Sequence, residues 1–156
     1  MRLVTVFNAS LKIFRLCYKE IECMDITISY NEISCFIGKK FKICPKFTTV
    51  DEKTLEVSYK RRMFMPNISV KFHIDAMRKD IICMSYDCGK PASLMIAGIV
   101  AYLEEKIPSG IEVYTADKRI NVYLLRFEQL KNVCEHVSLT NIAFQENSIK
   151  IELTIL

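Results

Sequence analysis

The pattern of apolar residues predicts an α+β fold, a mostly antiparallel sheet with two or three helices packed on one face. Period-two alternation is clearest at Met24–Tyr30, Ile68–Ile74 and Ile149–Ile155, as in strands with one wet face. Two stretches switch to the three-and-four spacing of an amphipathic helix: Ile13, Phe14, Cys17 and Ile21, then Phe127, Leu130, Val133, Cys134 and Val137. Only four Gly and four Pro occur in 156 residues, which favours regular elements joined by short connections. That length suits one domain, 1–156, able to bury about two-thirds of its unfolded surface. With 51% hydrophobic and 26% charged residues, the composition is that of a globular domain and excludes wholesale disorder.

In chain order, residues 2–7 read as a first strand, and Asn8 or Ser10 can cap the helix that carries Phe14 and Cys17. From Met24 the alternation resumes. Asn31-Glu32 then makes a turn into a short second strand, Ile33–Ile37, ahead of Gly38. Phe41–Val50 and Thr54–Lys60 form a basic, partly exposed pair, with Pro45 confining the former to an edge or a bulge. The segment Arg61–Asn67 breaks the pattern. Ile68–Ile74 and Ile81–Tyr86 are strands, and Asp87-Cys88-Gly89-Lys90-Pro91 is a turn.

Residues 92–107 admit two readings. Pro91 at a first helical position, Leu103-Glu104-Glu105-Lys106, and the stop at Pro108-Ser109-Gly110 favour a helix. Gly98 and the unbroken apolar run favour two buried strands. The helix is the reading adopted. Residues 120–155 then give strand, helix, strand, strand, the same order as 2–37. Two such pseudo-repeated units would pair into one continuous sheet with both helices on the same face.

No catalytic constellation stands out. The seven cysteines contain no Cys-x-x-Cys, and His73 and His136 are the only histidines, so no metal site and no cofactor is expected. Cys88, beside Lys90 in its turn, is the candidate for a cysteine-dependent enzyme. Gly89-Lys90 lacks the earlier Gly of a phosphate-binding loop and is followed by Pro91. The longest apolar run, Leu94–Leu103, is too short to span a membrane. Unpaired cysteines without a secretory signal point to an intracellular protein, cytoplasmic or nuclear.

Charge is uneven. The segment 39–62 holds Lys39, Lys40, Lys42, Lys46, Lys53, Lys60, Arg61 and Arg62 against Asp51, Glu52 and Glu56, so it is +5 by itself in a chain whose net charge is +4. Phe41, Phe47, Tyr59 and Phe64 lie among these cations, a mixture suited to tracking a phosphate backbone and stacking bases. The candidate nucleic-acid contacts are Lys39, Lys40, Lys42, Lys46, Lys60, Arg61 and Arg62. The plainer reading is a lysine-rich edge hairpin, charged against aggregation.

The opening Met1–Lys12, the Ile120–Leu153 stretch and the Ser85–Pro91 turn together resemble eukaryotic sliding clamps and their checkpoint-clamp relatives. That resemblance implies sheet-and-helix units assembled into a ring around DNA, and it would make 92–107 strands. The sequence as a whole predicts a non-enzymatic interaction subunit of a larger assembly, with other subunits or copies of itself as partners. Nucleic-acid binding through 39–62 is the alternative, and a cysteine-dependent enzyme the third reading.

Overall fold

The computed structural model describes residues 23–60, 67–103 and 107–156. The predicted strand 2–7 and the helix around Phe14, with Arg61 and Arg62, lie outside the described residues. The fold is α+β, with every strand pairing antiparallel. In order the elements are β1 (Cys23–Ser29), α1 (Tyr30–Phe41), β2 (Lys46–Asp51), β3 (Thr54–Tyr59), β4 (Ile68–Met77) and β5 (Ile81–Cys88). They continue as α2 (Lys90–Leu103), β6 (Ile111–Tyr114), β7 (Arg119–Tyr123), a 3-10 turn (Leu124–Arg126), α3 (Glu128–His136), β8 (Val137–Phe144) and β9 (Ser148–Ile155).

The strands divide into two sheets, one ordered β1-β9-β8 and one ordered β2-β3-β4-β5-β7-β6. One continuous sheet was the expectation, and the helices are the reason it is not met. α1 carries the chain from the smaller sheet to the larger, and α3 carries it back. The predicted order of strand, helix, strand, strand over 120–155 is present, yet β7 belongs to one sheet and β8–β9 to the other.

Ile33–Ile37 form no strand; they lie inside α1. A capping box at the junction decides this. The Ser29 hydroxyl accepts from the Glu32 amide at 3.2 Å, and the Glu32 carboxylate accepts from the Ser29 amide at 2.9 Å. The amide bond holds the Glu32 carboxyl below its ordinary value. Five alternating residues are too few to outweigh two satisfied helix-end donors, and the helix places Tyr30, Ile33 and Ile37 on one face.

Residues 90–103 are helical, as the flanking signals predicted, and not the two buried strands that Gly98 and the apolar run favoured. No helix among the described residues is long and apolar enough to cross a membrane. Pro45 stands immediately before β2, an edge strand of the larger sheet.

Register keeps the alternation in step across the larger sheet. Phe47, Val57, Val70 and Cys88 form one cross-strand row, and Leu55, Phe72 and Tyr86 another. The opposite face carries Lys46, Glu56, Lys71, His73 and Asp87. The core forms where the two sheets meet, around Tyr30, Leu55, Ile74 and Phe144, each more than nine-tenths buried. Burying each such apolar side chain stabilises the fold by about 1.5–3 kcal/mol.

The turn between β2 and β3 clasps the smaller sheet. The Glu52 carbonyl accepts from the Phe144 amide at 2.8 Å, and the Lys53 ammonium donates to the Ile142 carbonyl at 2.7 Å and to the Asn141 side chain. The Tyr30 hydroxyl donates to the Gln145 carbonyl at 2.9 Å and sits 2.6 Å from the Thr49 hydroxyl.

Candidate functional site

The described basic residues fall on two adjoining element ends, the end of α1 and one end of the β2–β3 hairpin. Lys39 and Lys40 occupy the last turn of α1, where cations favourably meet the negative end of the helix dipole. Lys42 closes the helix in the left-handed conformation, φ 59°, with its amide donating to the Gly38 carbonyl at 3.0 Å. The Ser34 hydroxyl donates to the Pro45 carbonyl at 2.9 Å and ties the following loop back to α1. Lys46 opens β2 opposite Ser58, and Lys60 directly follows β3, so both stand at the same end of the hairpin.

Lys39, Lys40, Lys42, Lys46 and Lys60 are all exposed, and among the described residues none of them is in an ion pair. From Ile33 to Val50 the chain carries no Asp or Glu. The sixth described lysine of the segment, Lys53, is different: it is half-buried and engaged in the clasp on β8.

The aromatics of the segment divide. Phe47 stacks on Tyr30 with centroids 5.6 Å apart and an interplanar angle of 20°, which makes it part of the core. Tyr59 is half-buried, and Phe64 lies outside the described residues. Phe41 is 58% exposed. It is joined by Phe36, 62% exposed, which the strand reading of 33–37 had hidden. The Lys40 ammonium lies 5.9 Å from the Phe36 centroid and 5.5 Å from that of Phe41. The Ser-x-x-Glu at 29–32 was the signal that could have found this cluster, since a helix started there puts Phe36 and Lys40 four residues apart on one face.

A second surface lies on the smaller sheet. Its cross-strand rows are Met24–Leu153–Leu139, Ile26–Ile151–Ile142 and Ile28–Ile149–Phe144, so one face is wholly apolar. The other face carries Asp25, Thr27, Lys150, Glu152 and Asn141, with Lys150 pairing to Asp25 and to Glu152 at 3.0 Å each. Phe144 is buried in the core, with Ile142 and Ile149 packed against it. Met24 and Ile26 at the far end are 44% and 40% exposed.

Among the described residues, the candidate nucleophile and histidine stand apart. Register puts Cys88 on the Val70 face of the larger sheet and His73 on the opposite face. His73 Nδ1 sits 2.8 Å from the Thr54 hydroxyl. The six described cysteines are free thiols. A cleft of about 580 Å³ lies between α2 and residues 107–115. Its carboxylate, Glu112, accepts from the Tyr114 hydroxyl and from Arg126, both at 2.6 Å, and these bonds hold its pKa below the ordinary value. A carboxylate so engaged is a poor proton acceptor.

Comparison of the chain with protein-family models, with curated proteins and with solved structures finds no match.

Proposed function

We propose that the chain is a non-enzymatic interaction subunit of a larger assembly, docking through the open end of the smaller sheet. The observation that supports this reading is the continuation of one apolar face past the core to exposed Met24 and Ile26. These residues lie on β1, which among the described residues pairs with β9 on one side only. An apolar sheet face beside a strand that pairs on one side among the described residues suits either a partner's strand or a packed apolar surface.

The test compares wild type with Ile26→Glu, with circular dichroism confirming that both are folded. Mass is measured by light scattering, and bound proteins are recovered from native extract with and without nuclease. The expected result is a nuclease-resistant association that Ile26→Glu abolishes. A wild-type monomer that recovers no protein, or an association indifferent to Ile26→Glu, would overturn the proposal.

A further inference from the structure

The end of α1 and the adjacent end of the β2–β3 hairpin are not used by the docking surface just proposed. We infer that this end is a binding platform for single-stranded nucleic acid, in which Phe36 and Phe41 stack bases and Lys39, Lys40, Lys42 and Lys46 meet phosphates.

Part of the cluster has a structural explanation, which defines what is left over. Lys39 and Lys40 complement the helix dipole, as cations at this position commonly do. That accounts for neither ring. Both phenyl groups are more than half exposed although the same helix has an inner face occupied by Tyr30 and Ile33. Lys42 is also unexplained by the fold. A left-handed helix terminus favours Gly, which has no Cβ to crowd the following carbonyl, and a lysine there costs stability relative to glycine.

The chemistry of the ligand follows from what is present and what is missing. Four exposed lysines, with no carboxylate from Ile33 to Val50, select a polyanion. Two exposed rings bracketing one ammonium select a polyanion that also offers flat π-faces. In a duplex those faces are hidden within the stack, so the strand must be unpaired. The rings sit on a helix whose N-terminus is locked by its capping box and whose exit loop is tied by the Ser34–Pro45 hydrogen bond. The platform is therefore preorganised, which lowers the ordering cost of binding.

The experiment is fluorescence anisotropy of the full chain with labelled 20-nucleotide oligo-dT, oligo-rU and a duplex of the same length. Polyphosphate and a poly-glutamate peptide serve as base-free competitors. The single strands are expected to bind with a log-affinity against log-salt slope of about −2 to −4, as for several neutralised phosphates. Phe36→Ser/Phe41→Ser is expected to weaken them on the order of tenfold or more. The oligo-dT and oligo-rU arms show whether DNA or RNA is preferred. Because Phe36 and Phe41 are exposed, the double variant keeps the core intact. Lys42→Gly supplies a second control, expected to weaken binding while the melting temperature holds or rises. Equal affinity for duplex, loss to poly-glutamate or polyphosphate competition at matched charge, indifference to the ring substitutions, or no binding at all would each overturn the inference.

Discussion

The two ends of the smaller sheet share one patterning and meet opposite fates. Ile28, Ile149 and Phe144 form a row that closes the core against Leu55 and Ile74, whereas the Met24–Leu153–Leu139 row, two rows away on the same face, lies outside that core and leaves Met24 44% exposed. Nothing in the alternation distinguishes these rows. The difference is made by the β2–β3 turn, which reaches β8 through the Glu52 carbonyl and the Lys53 ammonium, and by Tyr30, which fills the space beneath. An apolar side chain becomes core only where a second element arrives to cover it.

The largest expected effect breaks the covered end. Phe144→Ala should destabilise the protein by about 3–5 kcal/mol, because the rigid junction cannot collapse into the cavity. The matched change at the open end, Ile26→Thr, keeps the β-branch and should cost less than about 1 kcal/mol in the isolated chain. Urea denaturation of both variants measures the contrast, and equal losses would erase it.

Next comes the helix that closes the junction. Ser29→Ala removes one arm of the capping box and should cost about 1 kcal/mol. Tyr30→Phe keeps the ring stacked on Phe47 while deleting the bond to Gln145, and should also cost about 1 kcal/mol. Both are read by thermal or urea unfolding.

A smaller effect is pH-dependent. The Ser29 amide holds the Glu32 carboxyl below its ordinary value, and the Lys53 amide does the same for Asp51. Each depressed group adds stability above its unfolded pKa, and that stability is lost as pH falls through the folded pKa. Glu32→Gln should flatten the acid limb of a stability-against-pH curve, and an unchanged limb would remove Glu32 from the account.

The smallest change belongs to α2. Leu94 in this helix is 78% exposed despite the helix's apolar character, so Leu94→Gln should leave stability within about 0.5 kcal/mol.

The residues by themselves determined the local elements whose signals were long or doubly marked. Pro91 and Pro108-Ser109-Gly110 bracket α2, Pro45 precedes an edge strand, and the Ile149–Ile155 alternation is β9. They also placed Lys39, Lys40, Lys42, Lys46 and Lys60 in one charged neighbourhood. The Ser29–Glu32 capping box marks α1 locally in place of the expected strand at 33–37, while the tertiary structure decided how exposed Phe36 is beside Lys40. The tertiary structure likewise decided that Phe47 belongs to the core, and that the strands divide into two sheets. Alternation and charge are local and survive in the one-dimensional record. Which apolar face receives a cover depends on contacts between residues as distant as Glu52 and Phe144, and no local period encodes those.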